Sequence, residues 1–330
     1  MPITSRLLSN YSSRSIMLFG SLFLSVILVF VGLSSSMWQL IVVLFFFGSA
    51  RNLMTLSINT QGVAVQGLYS KSIMATFHGI WSMAGFAGAA FGLVMVYFNV
   101  LPVWHFVFVS IGLIAVTLYF IKDAHYEPPV KQERKPVFSL PDKYLIKFSF
   151  ICFASMACEN TMYDWSALYF QKEVNPDRTL STAAFVIYLV AMTTGRLFGD
   201  KLVTRFGINI VLKFSGIFIF CGLLLAVALP YLGTTLLGFI LVGFGVSCVV
   251  PMIFSLAGKS KSMSSSTALA SISTVGYLGF VLVPPFVGFI SQNAGLRWSF
   301  GIIAMLGALI VYLVSKLNTG QEQHPAMINP

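Results

Sequence analysis

The chain is poor in charge. Of its 330 residues, 9% are Asp, Glu, Lys or Arg, and ten are acidic, where a soluble domain carries about 25% charged residues. It is also poor in cysteine. Cys152, Cys158, Cys221 and Cys248 all fall inside apolar runs, with no CxxC spacing and no cluster among the four histidines. That pattern excludes a disulfide framework and a metal site, and leaves the cysteines as small packing residues. There is no GxxxxGK[ST] run to cradle a nucleotide phosphate. There is no HExxH or GxSxG, so a membrane-embedded enzyme has no carrier for its chemistry, and no catalytic residue or cofactor is expected. A cleavable signal peptide is lacking too: residues 1–15 are polar and carry Arg6 and Arg14, and the apolar run after them is long enough to span a bilayer.

What is present is apolar surface. Hydrophobic residues make up 57% of the chain, and the mean hydropathy is +0.87. A chain this apolar cannot hide its surface from water in one core, so the bilayer is its solvent. About ten spans can be drawn, each near the ~20 residues a bilayer requires. They run over 16–34, 38–62, 73–98, 102–121, 145–170, 181–198, 209–229, 233–256, 266–291 and 297–316. The runs are too long and too uniformly apolar for alternating barrel strands, so the expected class is all-α membrane.

The net charge of +10 points only superficially to nucleic acid, because the basic residues lie in short loops between spans. Alternate loops return to the side that holds residues 1–15. That side receives sixteen Lys and Arg, against Lys172, Arg178 and Arg297 on the other, with Arg51 inside a span. The excess makes the first side, with both termini, cytoplasmic.

Residues 122–143 are rich in Pro and charge and read as a cytoplasmic linker. The expected divisions are a four-span N-terminal bundle over 1–121, the linker, a six-span C-terminal bundle over 144–316, and a tail over 317–330. Ser5–Ser15 has the same layout as Asp200–Ile210, with Leu7 on Leu202 and Tyr11 on Phe206. Two apolar spans precede the second copy and none precedes the first. The pattern reads as a six-plus-six repeat whose first two helices are lacking.

Gly195, Gly199, Asp200, Lys201, Arg205 and Gly207 follow, with slightly stretched spacing, the G-x-x-x-D-[RK]-x-G-[RK] loop that joins the second and third helices in each half of the major facilitator superfamily. The chain resembles that superfamily. The runs around Asn59, from Phe77, from Cys158, from Gly243 and from Ser273 look like its fucose-permease-like branch of bacterial inner-membrane transporters. Gln66 stands where an acidic residue is expected in that branch. The resemblance implies two helical bundles, with the 38–62, 145–170 and 233–256 spans as cavity-lining helices. It also implies a monomeric transporter of a small molecule, in which the charged loop, here with Asp200, Lys201 and Arg205 as one cluster, latches the bundles in one state. Plain retention of positive charge on the cytoplasmic side is the other reading of that cluster.

Ionisable residues inside spans cost about 2.5–3.5 kcal/mol on insertion scales, so they need a partner or a wet cavity. Glu159 and Arg51 each lie roughly 20 Å into their spans at the helical rise, entered from opposite sides. They read either as a cavity pair, with Glu159 the proton site or polar-solute acceptor and Arg51 its counter-charge or anion clamp, or as a structural ion pair. Asp164 is turned by roughly 140° from Glu159, which argues against an acid–base dyad and leaves an outer-gate contact or a helix-end cap. Trp165 stacks on a sugar ring or anchors in the headgroup layer. Asn52, beside Arg51, and Asn160, beside Glu159, complete the candidate solute site. Asn59 and Gln61 bond either a solute or neighbouring helices. His78 is a candidate proton relay, or a histidine satisfied by a loop carbonyl. Gly79, Gly85, Gly88 and Gly92 are read as helix-packing positions, and Pro251, Pro284 and Pro285 as kinks.

The sequence therefore predicts a multi-pass secondary transporter of a small polar solute, a sugar or related metabolite, with proton coupling through Glu159. Its rival is a transport-incompetent remnant or a mis-set start of such a protein.

Overall fold

In a computed structural model of the chain, residues 2–126, 145–176, 183–260 and 263–317 are described. The expected linker from residue 127 onward and the expected tail beyond Leu317 lie outside the described residues. Every described element is helical. A short α1 (Pro2–Asn10) is followed by α2 (Ser13–Leu33), α3 (Met37–Gln66), α4 (Met74–Tyr97) and α5 (Pro102–Phe120). After the linker come α6 (Leu145–Tyr169), α7 (Ala183–Phe206), α8 (Ile208–Ala228), α9 (Leu232–Ala257), α10 (Ser265–Ala294) and α11 (Leu296–Ser315). The ten helices α2–α11 match the ten expected spans. Seven of them, α2, α3, α5 and α8–α11, are long and apolar enough to cross a membrane. The other three are 24, 25 and 24 residues long and carry most of the polar groups discussed below.

Local chemistry sets the ends. Ser12 accepts the Ser15 amide and starts α2. Ser36 and Gln39 form a reciprocal capping box that starts α3, each side chain taking an amide proton that has no intrahelical acceptor. Gly207 (φ 83°) and Gly295 (φ 90°) hold the breaks before α8 and α11, in a backbone region that glycine enters without a Cβ penalty.

Two expectations change. Residues 2–10 form a helix, where a polar segment was expected. Its Thr4 hydroxyl donates to Asn52 of α3 at 2.7 Å, and Leu8 is buried. The segment Gly195–Phe206 is also helical and is no loop: α7 continues eight residues past the expected span end, because Leu197, Lys201, Leu202 and Arg205 are good helix formers and the backbone first turns to positive φ at Gly207. Both changes sharpen the repeat. The starts of α2 and α8 are 195 positions apart (208 less 13), as are those of α3 and α9 (232 less 37) and the ends of α5 and α11 (315 less 120). The packing repeats as well, with α2 on α5 and α8 on α11.

The described chain divides into two compact units. The first contains α1–α5, residues 196–200 of α7, the end of α9 and the first part of α10. There Gln61 donates to the Ser13 hydroxyl and to the His125 carbonyl, both at 2.7 Å, and Ser110 donates to the Ser25 carbonyl at 2.6 Å. Asn59 donates to Thr55 one turn back in its own helix. Among the described residues, Gln61 thus ties α3 to α2 and to the segment after α5, while Asn59 bonds within α3.

The second unit holds most of α6–α9, the later part of α10, and α11. Its core stacks Tyr169 on Phe300 (ring centroids 4.3 Å apart), with Phe239 beside both. The Tyr169 hydroxyl donates to the Ala226 carbonyl at 2.9 Å. Glycines let the helices touch: a Cβ at Gly307 would lie 2.6 Å from the Phe220 nitrogen and 2.8 Å from the Gly216 oxygen. Arg297 donates twice to the Val227 carbonyl at the end of α8, where a cation also complements the helix dipole. Cys152, Cys158 and Cys248 are buried as expected of packing residues, but Cys221 is exposed.

The glycine reading for α4 holds in part. Gly79 lies against Leu197, and Gly92 touches only His105, whereas Gly85 and Gly88 meet nothing within 4 Å among the described residues. Beyond Ser82 the described positions of α4 through Gly88 are exposed. Gly307→Leu is expected to destabilise by about 1–3 kcal/mol through overpacking, read as a lower thermal midpoint in detergent. Gly85→Leu is expected to leave that midpoint unchanged.

Candidate functional site

A densely bonded polar site lies at the start of α4. The first four N–H groups of a helix have no intrahelical acceptor, and here they are those of Ile73, Met74, Ala75 and Thr76. Gln66, the last residue of α3, takes the first two on its Oε1, each at 3.2 Å. Asp200 of α7 takes the other two, Ala75 on Oδ1 at 3.2 Å and Thr76 on Oδ2 at 2.6 Å. The Asp200 carboxylate also accepts the hydroxyls of Ser72 and Thr76, both at 2.7 Å. It is 7% exposed, so this is a carboxylate set against the positive end of a helix with little water to screen it.

Gln66 completes the site in a way a carboxylate would not. While its Oε1 caps α4, its Nε2 donates to the Ser255 hydroxyl of α9 at 2.5 Å. An acidic residue there would place a second negative charge beside Asp200 on the same helix end. The neutral amide supplies donor and acceptor together.

Above the cap the contact between α4 and α7 continues. Gly79 admits the Leu197 side chain. Arg196 is 3% exposed; its Nη1 donates to Ser82 at 2.8 Å and its guanidinium lies 5.8 Å from the Trp81 ring centre. His78 stands edge-on to Phe254 at 6.2 Å, and its Nε2 is buried without a hydrogen-bond partner among the described residues. Neither a relay chain nor a loop carbonyl therefore meets that nitrogen. Sequence reasoning placed Arg196 among the loop cations and missed both its burial and the capping role of Gln66. The Ser72 and Thr76 hydroxyls flanking the start of a helix were the available signal.

The other residues of the charged segment have varied surroundings. Gly195 packs on Ser247 and Phe244 of α9, and Cys248 approaches its carbonyl at 3.5 Å. Gly199 is buried, whereas Lys201 and Arg205 are exposed. Arg205 lies over the Phe206 ring. Asp200 is directed to the α4 amides, and successive helical positions point about 100° apart.

The expected solute residues divide as well. Arg51 is exposed and makes no hydrogen bond or ion pair among the described residues, while Asn52 is taken up by Thr4. Glu159 is 7% exposed and Asp164 is exposed, so the two carboxylates do face different surroundings. Asn160 donates to Asp164 Oδ2 at 3.1 Å and to the Phe280 carbonyl of α10 at 3.5 Å. The Trp165 ring packs against Gly288 of α10.

Known proteins share this organisation. The chain is 28% identical over 306 residues to an uncharacterised MFS-type transporter of Yersinia pestis, covering 93% of this chain and 79% of that one. It is 26% identical over 303 residues to the membrane protein MosC of Rhizobium meliloti, covering 91% and 72%. Among solved structures, the transporter FucP in its outward conformation superposes with a TM-score of 0.81 at 16% identity, covering 96% of this chain and 86% of that one. The human organic anion transporter MFSD10 superposes with a TM-score of 0.76 at 14% identity, covering 95% and 79%. The family model described as Major Facilitator Superfamily matches residues 1–268. This chain, a multi-pass helical membrane protein, belongs to the Major Facilitator Superfamily, whose members are transporters and not enzymes.

Proposed function

We propose that the chain is a secondary active transporter of a small polar solute, a sugar or related metabolite. It works by alternating access in a bacterial inner membrane, with both termini cytoplasmic. The observation that carries the reading is the shared cap on α4. A helix end held by side chains from α3 and α7 can part from them only where water replaces their bonds. Opening that end to the cytoplasm supplies the water, and closing it restores the bonds. Each bond contributes about 1 kcal/mol net, somewhat more to a charged group, so the cap is strong enough to hold one state and weak enough to release it. The sixteen-to-three distribution of basic residues supports a cytoplasmic place for this end.

Glu159 supports proton coupling. A carboxyl this buried in a spanning helix is costly when charged and is a functional candidate by default. Arg51, Asn52, Asn160, Asp164 and Trp165 are the other solute contacts of this reading, with Asn52 also bonded to Thr4 and Trp165 also packed on Gly288. The sugar assignment draws on FucP, described as a fucose:proton symporter and sharing the fold with a TM-score of 0.77. Fold alone does not set a substrate.

Purified protein in liposomes, offered labelled L-fucose and a panel of hexoses and pentoses with an inside-alkaline pH gradient, tests both parts. At least one sugar is expected to accumulate above equilibrium while the gradient lasts. No accumulation of any would overturn the sugar assignment. Glu159→Gln is expected to abolish gradient-driven accumulation while leaving solute exchange intact, and unchanged accumulation removes Glu159 as the proton site. The cap is tested separately with Cys221→Ser and Ala75→Cys, a buried position whose backbone bond survives the change. Asp200→Ala is expected to raise maleimide labelling at position 75 about tenfold or more, as loss of several bonds to a charged acceptor implies. Equal labelling would show that Asp200 does not hold this end closed.

A further inference from the structure

Helices α6 and α10 run side by side around a weak place in α10. A Cβ at Gly279 would lie 3.0 Å from the Ala157 nitrogen of α6, and one at Gly288 would lie 3.4 Å from the Trp165 ring. Between these two approaches stand Pro284 and Pro285, both inside the helix. A proline has no N–H to give the carbonyl four residues earlier. For Pro284 that carbonyl belongs to Phe280, and it is the one that Asn160 Nδ2 reaches at 3.5 Å. The same nitrogen donates to Asp164 Oδ2 at 3.1 Å. An amide nitrogen carries two protons, so both are used. One goes to the backbone at the proline step and the other to a carboxylate one turn further along α6. Asn160 is itself 8% exposed, whereas Asp164 is exposed.

We propose that Asn160 is a positioning residue that ties the Asp164 carboxylate to the proline step of α10, so that what binds or neutralises Asp164 is felt in the α10 backbone. The shorter of its two bonds is to a charged acceptor, which makes it the stronger and lets it orient the amide toward Phe280. A solute donor or a proton that takes the Asp164 oxygen competes with the Asn160 amide for that acceptor, and the amide turns away from α10. The Phe280 carbonyl then loses a side-chain donor at the step where Pro284 supplies no N–H. The proposal extends the transport reading above by giving Asp164 a route to α10, but it makes its own claim about the protein without solute.

Hydrogen–deuterium exchange on the purified full-length protein in detergent, with no solute present, tests it. Asn160→Asp keeps the shape and removes the donor. It is expected to speed exchange across residues 281–288 roughly fivefold, the factor that one ordinary hydrogen bond gives. Asp164→Leu, which leaves Asn160 in place, is expected to do the same at α10 although residue 164 lies on α6. Pro284→Ala supplies Phe280 with a helical N–H, so Asn160→Asp in that background is expected to change exchange by less than twofold. Unchanged exchange at 281–288 in both single variants would overturn the proposal. So would an Asn160→Asp effect as large in the Pro284→Ala background as in the parent chain. Should Pro284→Ala fail to fold, the two single variants still decide. Because no uptake is measured, failure of the sugar or proton assignment leaves this result readable, and failure here leaves those assignments standing.

Discussion

The structure depends on one constraint: in lipid, a backbone polar group has only protein to bond to. Helices satisfy the middle of each span and leave four donors and four acceptors at every end. The informative side chains of this chain are those that serve such orphaned groups. Gln66 and Asp200 serve the four amides that begin α4. Arg297 serves a carbonyl at the end of α8, Gln61 a carbonyl after α5, and Asn160 a carbonyl that Pro284 leaves without its helical donor. Few polar residues are available, and those named here lie at places where the helical ladder is incomplete.

The same constraint makes the cap on α4 a candidate switch. A helix end capped by its own preceding residues is permanent, but this one is capped from α3 and α7. Whatever separates those helices must replace four bonds at once, and bulk water does so only when that end of the protein opens. Gly79 and the buried Arg196–Ser82 bond extend the contact along α4 without adding another carboxylate. Asp200 is the charged part of the cap and Gln66 the neutral part, which keeps two like charges off one helix terminus.

Close approach does the remaining work. Apolar side chains gain little from each other in lipid, so helices associate through dispersion contacts and small residues. Gly216 and Gly307, which bring α8 and α11 into backbone contact, occupy the pair equivalent to α2 and α5 in the 195-residue repeat. The glycines of α4 beyond Ser82 have small-residue spacing suited to helix packing but meet no described neighbour at Gly85 and Gly88. Spacing identifies a surface on which helices can approach; it does not say that one does.

The number of long helices, their all-α class and the family were legible from apolar run length, charge scarcity and the motif around Asp200. The repeat was legible too, because helix breaks recur wherever chain reversal is required, and Ser12 and Gly207 mark equivalent ones. Helix continuity through Gly195–Phe206, the helix at Pro2–Asn10, and the partners of Gln66, Arg196 and Asn160 were not. Run length measures how much chain lipid will accept, whereas a polar residue near a span end reads the same whether it faces water or another helix. Sequence alone determined that these residues must find partners, since lipid offers none. Only the tertiary structure decided which partners, because Asp200 meets Thr76 and Asn160 meets Phe280 across more than a hundred positions of chain, a distance over which local pattern carries no information.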